Sequence, residues 1–530
     1  MKADQNHKPL ILRLSSKIVL ALLSSVLLIL SFPNFDQGWL AWVALVPLIL
    51  AGYSQRPLIA FALGLLCGLG AIFSICFWMF AIPGFRLFLA VFLASYLAMY
   101  PALWCLALTW LKRGSKSSII LGSALWVALD YLRAHAGFLA VSWTTLAQSQ
   151  HDNIAGLQLA AFTGEYGVTF IIVMANIAIA EAFLEKRWKH LKVVAFFIAL
   201  THILGFIIIQ QNNKGEKLRV AVVQPSILHE EIKTPQGRLN ALDRLERLTI
   251  SSTSFKPEIV VWPETAVRDP KRDVKLYARL KTLARTINTP ILTGASEHMK
   301  FTNSGENRDA TVKLNQFQYN SAYFISPKGS DMAAPYRKQI LVPFGEYSPM
   351  ASFLNWPSWL APQVFNVLPG EGYKYFVLDQ GRRVSPVICW ESLFSDYVRL
   401  MVKEDTDLLV QLTNDNWFGR TAAPRQHNAA SVLRAVENQT PIVIASNTGP
   451  SQIIDVFGRV VAELPNLFTN GVVSAEVNLR YKETFYTRYG DVFAFICLAI
   501  LSIFALTKIL FRKNIAELFV NPFRIANIPK

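Results

Sequence analysis

Eight apolar runs separated by short polar gaps dominate the chain. They cover 17–32, 37–53, 58–81, 87–111, 117–135, 166–184, 192–209 and 491–511, each near the ~20 residues that carry a helix across a bilayer. Between the seventh and the eighth the pattern changes. Short β-rich runs appear at Leu218–Val223, Glu258–Trp262, Pro290–Thr293, Val384–Ile388, Leu408–Leu412 and Pro441–Ala445, bounded by polar or turn residues. Between them leucines recur at helical spacing: Leu239, Leu242, Leu245 and Leu248 share one face, as do Leu276, Leu280, Leu283 and Ile287. The pattern predicts a polytopic α-helical membrane bundle of eight spans with an extramembrane α/β domain. The expected division is a seven-span bundle over 1–212, the α/β domain over 215–486, the eighth span within 487–513 and a tail over 514–530.

Composition agrees with a membrane class. Of 530 residues 52% are hydrophobic and only 17% charged, against roughly a quarter charged in soluble domains. So much apolar and aromatic material excludes a disordered chain, and five cysteines exclude a disulfide scaffold. The net charge of +16 would suit nucleic acid, but the positions of the charges argue against that partner. Lys2, Lys8, Arg13 and Lys17 precede the first run, and Arg56 follows the second. Lys112, Arg113 and Lys116 follow the fourth, and Lys186, Arg187, Lys189 and Lys192 the sixth. Arg512, Lys513, Arg524 and Lys530 follow the eighth, whereas the alternate gaps 33–36 and 82–86 carry little positive charge. Cytoplasmic loops collect lysine and arginine, so both termini are expected in the cytoplasm. The domain after the seventh span then lies on the opposite face, in a bacterium the periplasm or outer surface. The first run ends Leu30-Ser31-Phe32-Pro33 without an Ala-x-Ala-like site, so an uncleaved anchor is expected.

Candidate chemistry sits in the α/β domain. Cys67, Cys76, Cys105 and Cys497 fall inside apolar runs, where cysteine behaves as a small apolar residue. Cys389 is the exception, closing the run Val384-Ser385-Pro386-Val387-Ile388. A lone thiol on the oxidising side of a membrane is either reactive or an inert core residue. To attack, it needs a base, because a free thiol with a pKa of about 8.5 is little ionised at neutral pH. His229, His298 and His427 are the domain's histidines, and none has a recognisable Cys-protease context. Glu264 emerges where Val260-Val261-Trp262-Pro263 stops, since proline cannot continue a central strand. Lys338, in Tyr336-Arg337-Lys338, stands just before Leu341-Val342-Pro343-Phe344-Gly345-Glu346. Each of these taken singly also reads as an ordinary surface charge. No zinc-ligand spacing, phosphate-binding glycine loop or internal repeat is present in the sequence.

Taken together, Glu264 after Trp-Pro, Lys338 before Val-Pro-Phe-Gly-Glu, and Cys389-Trp390-Glu391 after a strand resemble the Glu-Lys-Cys triad of the nitrilase superfamily. Further stretches are similar to its membrane branch, the apolipoprotein N-acyltransferases. They are Thr413-Asn414-Asp415-Asn416-Trp417-Phe418-Gly419, Gln426-His427-Asn428, Arg434-Ala435-Val436-Glu437-Asn438, Asn447-Thr448-Gly449 and Tyr489-Gly490-Asp491. The resemblance implies a four-layer αββα sandwich. It makes Cys389 the nucleophile, Glu264 the general base, and Lys338 with the Trp390 N–H the oxyanion stabilisers. Glu346 and Glu391 would orient Lys338, shape an acyl pocket, or form a structural ion pair. Asn414, Trp417 and Phe418 would be architectural.

The implied reaction moves an acyl chain from a phospholipid to Cys389 as a thioester, then to the α-amine of a diacylglyceryl-cysteine on an apolipoprotein. No metal or organic cofactor is implied, because the relay is the enzyme's own thiol. The apolar loop Phe353-Leu354-Asn355-Trp356-Pro357-Ser358-Trp359-Leu360 either gates lipid entry through Trp356 and Trp359 or packs within its own domain. Two details depart from the branch: Trp390 stands where tyrosine is common, and His229–Thr234 lacks the tryptophan often found after Lys233. Two other readings stay open at this stage. One is a membrane-anchored amidase acting on small amides, and the other a transporter or assembly scaffold with an inactive domain.

Overall fold

The computed structural model describes residues 13–112, 118–211, 215–299, 317–329, 333–351, 353–354, 356–357, 366–480 and 482–520. The apolar runs fold into helices Leu14–Leu30, Val46–Gly52, Pro57–Ile75, Leu87–Lys112, Ser118–Ala134, Glu165–Glu185, Trp188–Gln210 and Val492–Val520. Among the described residues five helices are long and apolar enough to cross a membrane, where hydropathy predicts eight spans. Leu14–Leu30 and Ser118–Ala134 stop at 17 residues each. The run 37–53 departs further, breaking into a 3₁₀ turn, Gly38–Trp42, and the short helix Val46–Gly52. Two residues explain the break. Gly38 lies so close to the Ser149 carbonyl that no side chain would fit, and Pro47 fits only the first turn of a helix. The run 58–81 likewise leaves the helix at Ile75 and continues as a 3₁₀ turn, Phe77–Ala81.

Small residues set the closest packing in the bundle. A Cβ on Gly64 or Gly68 would stand 2.8 Å from backbone atoms of helix Leu87–Lys112, so the two helices meet backbone to backbone in the small-xxx-small manner. Outward, helices Trp188–Gln210 and Val492–Val520 expose Phe196, Phe206, Ile207, Ile503, Leu506 and Leu510. A soluble protein seldom shows so continuous an apolar face, whereas a bilayer solvates it.

The chain then builds two sheets. In spatial order the first runs Gly471–Asn478, Lys217–Gln224, Ile259–Val261, Ile291–His298, Gln318–Ile325 and Tyr336–Arg337. The second runs Val460–Leu464, Ser451–Ile454, Ile442–Ser446, Leu408–Thr413, Arg383–Ile388 and Phe376–Val377. Side chains alternate along each strand. Ala221, Val223, Val260 and Trp262 pack on Leu242 and Leu245 of helix Pro235–Ser251 and on Leu280 and Leu283 of helix Val274–Thr286. Val220, Val222, Ile259 and Val261 point the other way, into the apolar layer that also holds Ile388, Leu409 and Val443. With helices Ser395–Lys403 and Ala423–Asn438 beyond the second sheet, the layers are helix, sheet, sheet, helix.

Parallel pairs at the centre of each sheet matter for function. Val220 pairs with Ile259 and Val260 with Ile291 in one; Val384 pairs with Leu408 and Ile442 with Leu409 in the other. Open α/β sheets present their chemistry beyond the carboxyl ends of such strands. Glu264, Cys389 and Asn414 all follow these ends.

Helix Ala423–Asn438 joins the sandwich to the bundle. All of its residues except Arg425 are buried. Gln426 donates to the Pro33 and Ile75 carbonyls at 3.0 and 2.9 Å and accepts from the Trp78 and Trp143 indoles at 3.0 and 2.8 Å. Deeper along the same helix, Arg434 pairs with Glu165 at 3.3 Å and Glu437 at 2.9 Å, and all three side chains are almost fully buried.

Candidate active site

Glu264, Lys338 and Cys389, far apart in sequence, meet where the two sheets open toward the bundle. The approach of Glu264 depends on a glycine next door. A Cβ on Gly294 would stand 2.5 Å from the Glu264 Cα and the Pro263 carbonyl oxygen, so only glycine lets the strand ends come this close. The Glu264 carboxylate accepts from Asn320 Nδ2 at 2.6 Å and from the Asn414 backbone N–H at 2.8 Å. Lys338, about 1% exposed, places Nζ 2.9 Å from Glu346 Oε1 and 3.9 Å from Glu264 Oε1. Glu346 is held in turn by the Val342 N–H at 2.7 Å.

Cys389 sits on a sharp corner between strand Arg383–Ile388 and a 3₁₀ turn, Cys389–Leu393. Its φ is +50°, the left-handed region that strains any residue with a side chain. Such a corner lifts the side chain out of the sheet, and Cys389 is the one cysteine among the five that is not fully buried. Glu391 holds the corner in place. It accepts from the Ile388 N–H at 2.7 Å, from the Gln339 N–H at 2.7 Å, and from the Tyr336 hydroxyl at 2.7 and 2.8 Å. The carboxylate thereby ties the strand bearing Cys389 to the segment bearing Lys338, although Lys338 is not among its hydrogen-bond partners.

The site's charges act on one another. Burial raises the Glu264 carboxyl above its usual range; Lys338 opposes this, and Glu346 adds to it. Burial also pushes the Cys389 thiol well above its ordinary value, with Glu264 adding to the shift and Lys338 opposing it. Burial alone would lower Lys338, but Glu346, Cys389 and Glu264 outweigh it and raise its pKa. The shifts favour a neutral thiol and a fixed ammonium, with a buried acid beside them. Such a set can deprotonate a thiol as it attacks and stabilise an oxyanion. Among the described residues no group of three or more His, Cys, Asp or Glu has the arrangement of a metal site.

The remaining expected residues are more spread out. Trp390 stacks on Trp143 of the bundle with ring centroids 6.0 Å apart. Phe418 packs edge-on against Trp78 at 5.0 Å, and Trp417 lies on His229 at 4.1 Å. Trp356 is half-buried against Phe344 at 5.1 Å and donates to the Pro349 carbonyl. Trp359 lies outside the described residues. Asn320, Gln426 and Trp143 are contributions that the sequence reading does not single out individually. Asn320 sits within a β-strand, where its alternation marks only a sheet face, and the other two matter through contacts made across the bundle.

The model of the apolipoprotein N-acyltransferase N-terminal domain matches residues 24–178, and that of the carbon-nitrogen hydrolases matches residues 219–485. An apolipoprotein N-acyltransferase of Geobacter metallireducens is 35% identical over 503 residues, covering 91% of this chain and 93% of its own. One of Chlorobaculum tepidum is 30% identical over 532 residues, covering 93% and 96%. The crystal structure of Saccharomyces cerevisiae Nit3, a member of the nitrilase superfamily, is 18% identical with a TM-score of 0.38, over 51% of this chain and 92% of its own. With both halves matched and relatives aligned over nearly the whole length, the chain belongs to the apolipoprotein N-acyltransferase family of membrane acyltransferases in the nitrilase superfamily.

Proposed function

We propose that this protein transfers an acyl chain from a phospholipid, through a Cys389 thioester, to the N-terminal amine of diacylglyceryl-cysteine on apolipoproteins. The observation that carries the reading is the shared wall of the site. A thiol grouped with a buried carboxylate and ammonium is bordered by Trp390, which stacks on Trp143 of the membrane bundle. Substrates reaching such a thiol keep their chains in the bilayer while the carbonyl meets the sulfur.

In the first half-reaction the Cys389 sulfur attacks the ester carbonyl while Glu264 accepts the thiol proton. Lys338 and the Trp390 N–H stabilise the oxyanion, which exists only once the tetrahedral state forms. Collapse breaks the ester C–O bond, and the proton passes from Glu264 to the departing lysophospholipid oxygen. In the second half the acceptor amine attacks the thioester carbonyl. Glu264 takes a proton from the amine and returns it to the sulfur as the C–S bond breaks and an amide remains. Water must be excluded between the halves, since it would hydrolyse the thioester.

Glu346 anchors Lys338, and Glu391 sets the distance between the two catalytic strands. The loop bearing Trp356 and Trp359 gates lipid entry at the headgroup level, where tryptophan is favoured. The division of the chain is that read from its sequence: bundle over 1–212, catalytic domain over 215–486, last span within 487–513 and tail over 514–530. The setting is the inner membrane of a bacterium, with both termini cytoplasmic and the catalytic domain periplasmic. The alternating positive gaps support this orientation.

The test is mass spectrometry of the detergent-purified chain after incubation with a phospholipid, beside Cys389→Ala. A hydroxylamine-labile acyl adduct on Cys389 with release of lysophospholipid is expected, and none in the variant. No adduct with several lipids, together with ammonia released from small amides, would replace this reading with the anchored amidase.

A further inference from the structure

His427 has no part in the chemistry above, yet it is buried directly behind the nucleophile. Its Nε2 stands 3.1 Å from the Cys389 carbonyl oxygen and 3.0 Å from Ser392 Oγ. Ser392 Oγ donates to the same carbonyl at 3.1 Å. A carbonyl oxygen only accepts, so this contact is a hydrogen bond when Nε2 carries a hydrogen; Asp415 Oδ1 likewise accepts from an Nδ1–H, and the ring makes both bonds when each nitrogen carries one. The ring itself is clamped. Asp415 Oδ1 lies 3.3 Å from Nδ1, and Asp415 is fixed in turn by Thr413 Oγ1 at 3.2 Å and Ser446 Oγ at 3.0 Å. Trp143 stacks over the ring with centroids 5.7 Å apart and planes at 29°; Gln411 Nε2, itself a donor, lies 3.3 Å from Nε2 and is not a partner of that nitrogen when it carries hydrogen.

Peptide geometry turns this clamp into an effect on the reaction. The C=O and N–H of a trans peptide point in opposite directions within one plane. Holding the Cys389 carbonyl toward His427 and Ser392 therefore fixes the direction of the Trp390 N–H. The corner also needs holding, because the φ of +50° at Cys389 is strained and relaxes unless neighbours over-determine it.

We propose that His427 is a positioning residue for the oxyanion hole. It locks the Cys389–Trp390 peptide so that the Trp390 N–H is already aimed at the oxygen that becomes negative, in company with Lys338. The inference rests on the thioester reading above and adds to it a residue outside the triad.

The test separates two reactions of one thiol in the full-length chain in detergent. Thioester formation from a phospholipid passes through an oxyanion. Alkylation by iodoacetamide does not: the sulfur displaces iodide at carbon and the thiol proton goes to base. His427→Ala is expected to slow thioester formation on Cys389 about 10²-fold, at the lower end of the effect of losing one oxyanion donor, with alkylation within about twofold of the unsubstituted chain. His427→Gln, which offers an amide N–H in place of Nε2–H, is expected to recover about tenfold of that loss. A parallel fall in both rates would make the histidine merely structural and overturn the proposal, as would thioester formation that stays unchanged. Alkylation of Cys389 in an unsubstituted chain that forms no thioester would overturn the underlying reading and this inference with it.

Discussion

Lys338 is hydrogen-bonded to Glu346 and only more loosely ion-paired with Glu264: its Nζ is 2.9 Å from the first carboxylate and 3.9 Å from the second. On the proposed mechanism one acid anchors the ammonium and the other carries the proton. Glu346→Gln keeps the shape and removes the charge. Without that anchor the ammonium shifts toward Glu264, and turnover is expected to fall about 10²-fold, the scale of a misplaced catalytic group. Because Glu346 helps to raise the Glu264 carboxyl, the acid limb of the pH–rate profile should move to lower pH. Steady-state rates across pH check both outcomes.

The unsubstituted profile has its own sign. Glu264 must be ionised to accept the thiol proton, and burial holds its pKa above the ordinary 4.5. Activity therefore rises as pH climbs through a value above 4.5. The raised Lys338 loses no charge at neutral or mildly alkaline pH. Glu264→Gln should abolish the acid limb and slow thioester formation by about 10²–10⁴-fold, read by stopped reaction and mass spectrometry.

Gly294 offers a test of placement without touching a charge. Its added Cβ in Gly294→Ala would stand 2.5 Å from the Glu264 Cα and the Pro263 carbonyl oxygen and 2.7 Å from the Thr265 N. The strand end must shift, and a displacement near 1 Å costs about 10²-fold in rate. The expected result is a folded protein with normal alkylation of Cys389 and depressed acyl transfer.

Arg434 tests the joint between the halves. Burial raises the Glu437 carboxyl, and Arg434 opposes that rise. Arg434→Met leaves Glu165 and Glu437 without their cation, which for a buried pair costs about 3–5 kcal/mol. A clear drop in the unfolding temperature in detergent is expected. Adding Glu437→Gln should recover part of it.

Trp356 tests the gate. Its indole packs on Phe344 and is half-exposed. Trp356→Ser should reduce lipid turnover several-fold while the unfolding temperature shifts by only about 2 °C, the scale of a surface substitution. Equal loss of both would speak for plain packing.

Much of this was legible in the chain because strand ends announce themselves. Pro263 stops a strand and delivers Glu264, and Ile388 closes one and delivers Cys389. The alternation of Val220, Ala221, Val222 and Val223 also separates the two faces of the sheet. Hydropathy failed where backbone shape was decided by something other than apolarity. Nothing in the composition of 37–53 tells a spanning helix from a 3₁₀ turn, because the deciding contact, Gly38 against Ser149, is over a hundred positions away. Asn320 was invisible for a related reason. A polar residue in a strand reads as an outward position until the partner carboxylate is known to sit opposite.

The buried helix Ala423–Asn438 carries one more consequence. In a soluble enzyme an outer helix of such a sandwich has a wet side, and the whole catalytic half is free to tumble. Here Gln426 and Arg434 take up what would be that wet side with bundle carbonyls, indoles and Glu165. These contacts pin the helix to the bundle at two levels. On the proposed reaction the two lipid substrates then have to change places while this joint stays closed. A fragment cut free at residue 212 would lose the floor of its own reaction chamber along with its anchor.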